Sequence, residues 1–357
     1  MVHNLNEFIN LFNSQVRFLN KKHRWVFVLL PLAFLLLGEY QLKPQDFNDP
    51  GSFKTNKHGH DQFNLKEFIS QNQSDLDSDV EKTSDGYYVG ALKIPEDINF
   101  AGEHVPIEQN DVKERLDREL LVNTYWQSNM ILLIKRGYKY FPFIEKILLQ
   151  YGVPEDFKYL ALIESGFLNA TSPAGARGFW QIMKNTAREY GLEVNSNVDE
   201  RLNLELATHV ACKYFLKAKE KFDNWTLVAA SYNRGMSGLE RALRSQKVDN
   251  YYDLWLNEET SRYVFRILAV KDIFQKYGDQ YGFEIAKEDH YSLPPLRKIA
   301  IDSAIGDLVD FSTKMGMTYK ELKIYNPWLI QRHLINNSRK NYHILVRDTT
   351  HIPVENF

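Results

Sequence analysis

A single cysteine, Cys212, stands in a chain of 357 residues. One thiol builds neither a disulfide framework nor a thiolate metal site. Its place inside the helical run 206–217 reads as a small buried hydrophobe. Net charge is also nearly absent, because 44 Lys and Arg against 46 Asp and Glu leave −2. No global bias therefore points to nucleic acid. No Walker-type or G-x-G-x-x-G loop is present, which removes the common nucleotide sites. The ten histidines hold no H-x-x-x-H pair with an intervening Glu, so no helical zinc-hydrolase site is expected. A G-x-S-x-G elbow is missing too. No metal and no cofactor is expected.

Long apolar runs are equally scarce. The longest, Trp25 to Gly38 (WVFVLLPLAFLLLG), would span about 21 Å as a helix. That falls short of the roughly 30 Å hydrocarbon core and suits a signal-peptide apolar segment. However, a long basic stretch ending in Lys21, Lys22, His23 and Arg24 precedes it, and no A-x-A site follows. Basic residues before the run and acids after it (Glu39, Asp46, Asp49) place the N-terminus in the cytoplasm and the rest across the membrane. The expected organisation is a cytoplasmic tail over 1–24 and an anchor or signal segment over 25–40, with an uncleaved anchor favoured. A polar flexible linker covers 41–87.

What is plentiful is helical periodicity and aromatic residues. Aromatics make up 13% of the chain, which suits either a carbohydrate-stacking groove or a large helical core. Helices are expected over 111–127, 128–136, 141–151, 155–167, 179–190, 203–222, 226–232, 238–245 and 259–277. No βαβ alternation appears, so residues 88–290 read as a compact all-α domain. Pro294-Pro295 breaks the chain. Beyond it, a strand over 298–303, helices over 308–315 and 319–325, and a strand over 342–347 form a β-α-α-β module within 296–352. The fold class is mainly α with a small α+β module.

Glu164 is the most informative residue. On a 3.6-residue period Phe157, Leu160, Ala161, Glu164 and Leu168 share one stripe. The neighbouring acids Glu155 and Asp156 sit in a first helical turn, where the dipole favours them, but Glu164 has no such reason. A carboxyl in apolar surroundings resists ionisation and can serve as a general acid. The plain alternative is a core-edge acid paired with a nearby Lys or Arg. Ser165 follows directly, yet no histidine lies in this helical cluster to activate it as a nucleophile.

Three further segments accompany Glu164. In Gly178-Phe179-Trp180-Gln181, glycine allows close approach of backbone to ligand, while Trp180 and Gln181 can stack on and hydrogen-bond a sugar. A loop closing onto the core through Phe179 and Trp180 is the alternative. In Ser231-Tyr232-Asn233-Arg234-Gly235, polar groups gather at a helix end, where Asn233 can also cap the local backbone. Tyr263 shares a stripe with Ile267, Val270 and Phe274, and its hydroxyl can satisfy a buried carboxyl or simply sit in the core.

In this order the segments resemble the lytic transglycosylases of glycoside hydrolase family 23, in the membrane-bound lytic murein transglycosylase D branch, whose fold is that of goose-type lysozyme. The family's Glu-Ser, Gly-Leu-Met-Gln, Ala-Tyr-Asn and isolated Tyr appear as Glu164-Ser165, Gly178-Phe179-Trp180-Gln181, Ser231-Tyr232-Asn233 and Tyr263. The resemblance covers about residues 105–280. Phe179-Trp180 and Ser231 depart from the pattern, which bears on groove shape. The C-terminal segment resembles a degenerate LysM module through Gly306-Asp307-Leu308, Tyr325-Asn326-Pro327-Trp328 and Tyr342–Arg347. It lacks the usual aromatic start and a Thr after Asp307.

The resemblance implies peptidoglycan glycan strands as partner and cleavage of the β-1,4 bond between N-acetylmuramic acid and N-acetylglucosamine. Glu164 would act as acid and then base, and the product would carry a 1,6-anhydro ring. Asn233 and Gln181 would hold the glycan, with Tyr232 and Trp180 alongside. Tyr263 would orient Glu164, and Ser165 would position substrate or helix. Ordinary glycosidases need two carboxylates. The sugar's N-acetyl group and its own hydroxyl can replace the second. No obvious second acid lies on an apolar face, although Glu189, Glu193, Asp199 and Glu200 lie downstream of the Gln181 loop. A hydrolytic muramidase and a non-catalytic glycan-binding scaffold are the alternatives.

Overall fold

The computed structural model describes residues 90–348. The expected tail, anchor and linker all lie outside these residues. No helix among the described residues is long and apolar enough to cross a membrane.

A two-residue hairpin, β1 (Asn99–Phe100) and β2 (Glu103–His104), precedes the helices. The helical part comprises α1 (Asn110–Tyr125), α2 (Gln127–Tyr151), α3 (Phe157–Ser165), α4 (Lys184–Glu189), α5 (Leu204–Phe222), α6 (Trp225–Arg234), α7 (Met236–Gln246) and α8 (Glu258–Lys276). The C-terminal module runs β3 (Leu296–Ile301), α9 (Leu308–Lys314), α10 (Tyr319–Tyr325) and β4 (Tyr342–Arg347). Its strands pair antiparallel from Leu296↔Arg347 to Ile301↔Tyr342. The mainly α class and the two-stranded module match the sequence reading.

Three local expectations need correction. The helices expected over 128–136 and 141–151 are one helix, α2, which runs through Pro142. Proline removes a helical hydrogen bond, but the buried stripe Met130, Leu133, Ile134, Gly137, Phe141, Ile144 and Leu148 continues across it. Gly137 lets α8 approach closely, since a Cβ there would lie 2.4 Å from the Phe274 ring. The helix expected over 179–190 is only α4, because Phe179 and Trp180 belong to the preceding turn. Leu168 leaves the Glu164 stripe, because α3 stops at Gly166 in the left-handed region and Leu168 is 50% exposed.

Two polar anchors place the helices that carry the site. The Glu103 carboxylate accepts from the backbone N–H of Trp225 at 2.6 Å and of Thr226 at 2.8 Å, holding the start of α6. Negative charge suits a helix N-terminus. Lys271 of α8 donates to Asp156, at the start of α3, at 2.6 Å. Asp156 also accepts from the Ala101 N–H at 2.6 Å. Asp156 is therefore half of a buried ion pair, where the sequence reading saw only a first-turn acid.

The C-terminal module docks on the segment 193–202. Val198 and Leu202 share its small core with Leu308, Leu322, Trp328 and Ile344. Asn197 receives the Ile335 N–H at 2.9 Å and donates to the His333 carbonyl at 2.9 Å. Lys340 pairs with Glu200 at 2.5 Å and Glu193 at 2.9 Å. Tyr342 donates to Glu193 at 2.8 Å.

Candidate active site

Glu164 lies in the last turn of α3, partly buried, and Tyr263 of α8 donates its hydroxyl to Glu164 Oε1. Tyr263 is 2% exposed, so the bond is made away from water. Burial raises the Glu164 carboxyl from its ordinary 4.5 to about 7. The Tyr263 hydrogen bond and the Arg266 guanidinium pull the other way, while the Glu259 charge adds to the rise. Burial also raises Tyr263 well above its usual range, and the Glu164 charge adds to this. Tyr263 is thus a fixed hydroxyl donor at neutral pH. The core-edge alternative is not what this geometry presents, since Glu164 has no ion-pair partner within 4 Å among the described residues and takes a neutral hydroxyl instead.

Ser165 joins α3 to the next loop. Its hydroxyl donates to the Phe179 carbonyl at 2.9 Å and accepts the Phe167 N–H at 3.1 Å. Gln181 sits at φ 47° in the left-handed region. Its amide donates to the carbonyls of Gly178 at 2.8 Å and Ala170 at 3.2 Å, so it braces its own loop. Asn233 is gripped by α8, donating to Glu259 at 3.0 Å and accepting from Thr260 at 2.8 Å. Tyr232 donates to the Trp180 carbonyl at 2.7 Å, and burial, with the Glu164 charge, raises its hydroxyl well above the usual range.

Trp180 requires a correction. It is fully buried, its indole N–H donates to Thr208 of α5 at 2.9 Å, and its ring packs edge-on against Phe215. It is a core residue and offers no face to a sugar. Gly178 is corrected as well. The space left by its missing Cβ is filled by the Arg201 carbonyl, 2.1 Å from where a Cβ would stand. The close approach there is of backbone to backbone.

The four downstream acids do not supply a second carboxylate to this cluster. Glu193 and Glu200 serve Lys340, and Glu189 faces Lys217 at 3.3 Å. Asp199 binds Arg201 at 2.8 Å and Arg177 at 3.0 Å. Burial works against its charge, but the two guanidiniums outweigh this and leave its carboxyl below the usual range.

Residues 142–254 match the family model described as Transglycosylase SLT domain, and residues 297–356 match the Soluble lytic transglycosylase C-terminal LysM-like domain. The chain carries an SLT domain followed by a LysM-like domain. It is 28% identical over 235 residues to the Membrane-bound lytic murein transglycosylase D of Escherichia coli K12, covering 64% of this chain. The chain spans about half the length of that relative, 50%. Similar solved structures include an inactive variant of the lytic transglycosylase Slt from Pseudomonas aeruginosa. It shares 20% identity at TM-score 0.30, over 42% of this chain and 26% of that one. The soluble lytic transglycosylase Slt70 of Escherichia coli shares 21% identity at TM-score 0.31, with the same coverage.

Glu164, Gln181 and Asn233 fall within the matched SLT domain, whereas Tyr263 lies beyond it and joins the cluster through α8. Sequence reasoning missed Arg266, Glu259 and Thr260. The signal was present in the helical period, because Glu259, Tyr263 and Arg266 recur at four- and three-residue steps on one face of α8.

Removing the Tyr263 hydroxyl is expected to act in two ways. Tyr263→Phe frees Glu164 to swing, which lowers kcat roughly 10- to 100-fold. It also removes a bond that favours the ionised carboxyl, so the alkaline limb of the rate profile moves to higher pH. A pH series of kcat/KM on both proteins reads the shift.

Proposed function

We propose that this protein is a peptidoglycan lytic transglycosylase and that Glu164 is its single acid and base. The observation that carries this reading is a partly buried carboxyl of the SLT domain, raised to about 7 and oriented by a buried tyrosine from α8. Near neutral pH such a group is divided between its two protonation states, which suits both halves of the reaction.

In the first half Glu164 gives its proton to the oxygen between N-acetylmuramic acid and N-acetylglucosamine. The bond from C1 to that oxygen breaks, and charge develops at C1. In the second half the Glu164 carboxylate takes the proton of the muramic C6 hydroxyl, whose oxygen closes on C1. One C–O bond is exchanged for another and no water is consumed. Attack by a hydroxyl of the same ring benefits from effective molarity, and the N-acetyl group can support C1 in place of a second carboxylate. Asn233, held from two sides, presents the sugar next to Glu164, while Gln181 and Ser165 fix the loop and helix end that frame it. Tyr232 supports that loop from beneath.

The relative's name, membrane-bound lytic murein transglycosylase, supports placing the enzyme in the cell envelope. We place it on the periplasmic side, anchored through residues 25–38 and held off the membrane by the linker. The LysM-like domain then caps the catalytic domain and faces the same polymer.

One observation favours hydrolysis as the second reading. Glu259 is the other acid whose charge reaches Glu164. Its Oε1, however, accepts from Asn233 at 3.0 Å. Mass spectrometry of digested sacculi separates the readings: anhydro-ended muropeptides are expected, reducing ends support a muramidase, and intact sacculi support a scaffold.

A further inference from the structure

The largest apolar side chain left in water near this cluster has no role in the reaction above. Trp255 is 88% exposed, the highest value among the large hydrophobic residues described. An indole is large, rigid and amphipathic, and one held out into solvent is available to a partner.

The loop that carries it is fixed. The Gln246 side chain closes both backbone groups of Trp255, accepting from its N–H at 2.8 Å and donating to its carbonyl at 2.9 Å. The neighbours on either side point inward, with Leu254 4% exposed and Leu256 packed on the core. Tyr251, 1% exposed, ties the same loop to the Thr260 carbonyl at 2.8 Å. The indole of Trp255 is the large apolar side chain that this support turns out into solvent.

The loop also leads directly into the site. Asn257 accepts from Arg234 at 2.6 Å, next to Asn233. Glu259 and Thr260, in the first turn of α8, grip Asn233 itself. Tyr263, bonded to Glu164, lies only five residues into α8, roughly 8 Å along its axis at the helical rise. Trp255 thus lies two residues before Asn257, which holds Arg234, and four and five before Glu259 and Thr260, which hold Asn233.

We propose that Trp255 is a sugar-stacking platform at the rim of the Glu164 site, receiving the apolar face of a pyranose ring outside the cleaved bond. A flat indole on a pinned loop gains contact with little ordering cost, and the C–H groups of a pyranose face give it a matching apolar surface. The pyranose faces themselves carry no charge, so an aromatic face suits them better than a charged one. The assignment rests on the proposed function, because the ring it binds belongs to that substrate.

The test uses soluble, peptide-free glycan strands and the variants Trp255→Ala and Trp255→Phe. Trp255→Ala raises KM between about threefold and tenfold with kcat nearly unchanged, and Trp255→Phe recovers most of the loss. In a Glu164→Gln background, Trp255→Ala weakens retention on sacculi by a similar factor. Equal KM and equal retention overturn the proposal, as does a fall in kcat with KM unchanged. Wild-type protein that releases no anhydro ends defeats the functional reading instead, and the retention assay then still decides whether Trp255 binds glycan.

Discussion

Glu164→Gln is expected to lose about a thousandfold in turnover while keeping its retention on sacculi, since general acid–base catalysis supplies effects of that order. The same variant gives a stability signature with a definite sign. The folded carboxyl titrates near 7 against an ordinary 4.5. Below 4.5 both states hold the proton and burial costs nothing through this group. Between 4.5 and about 7 the unfolded chain releases its proton while the folded chain retains it, so wild-type stability falls across that window. The amide cannot ionise and escapes the loss. Glu164→Gln therefore melts above wild type at about pH 8 and alongside it at about pH 4. Thermal melts at the two pH values check this, and equal displacement at both would mean that the carboxyl is not strained by burial.

The second large effect is structural. Lys271→Ala should cost about 3–5 kcal/mol in unfolding free energy, the usual penalty for stranding one member of a buried ion pair. Asp156 and Lys271 are 7% and 9% exposed and meet at 2.6 Å. Lys271 also donates to the Asn99 carbonyl at 2.9 Å. The pair thus ties α8, the start of α3 and the β1–β2 hairpin to one point. Because α3 ends in Glu164 and α8 carries Tyr263, this pair fixes the mutual register of the two helices that form the cluster. Replacing both partners by Leu and Met should recover only part of the loss, because the Ala101 N–H and the Asn99 carbonyl lose their partners as well. Denaturant titration measures it, and a change below about 1 kcal/mol would show that packing alone sets the helices.

How far the sequence could be read follows from the range of each interaction. Glu164 was visible because a helical stripe is a local pattern, and the turn at Gly166 lies one residue past its end. The C-terminal module was visible for the same reason, its strands and helices being bounded by turn residues. Depth was not visible. Trp180 shows the same local pattern whether it lines a groove or a core, and its burial is decided by Thr208 and Phe215 on α5. The partner of Asp156 is 115 residues away. The gap expected between residues 136 and 141 is absent, because one buried stripe from Met130 to Leu148 holds α2 together. Gly178 looked like a ligand contact because the Arg201 carbonyl that fills its space comes from a later loop.

The central claim is that Glu164 works without water as a co-reactant. Digestion of sacculi in heavy-oxygen water, followed by mass spectrometry of the new glycan ends, tests it most directly. Closure by the muramic C6 hydroxyl predicts anhydro ends that carry no solvent oxygen. New muramic ends bearing one heavy oxygen would contradict the account and make the protein a hydrolase.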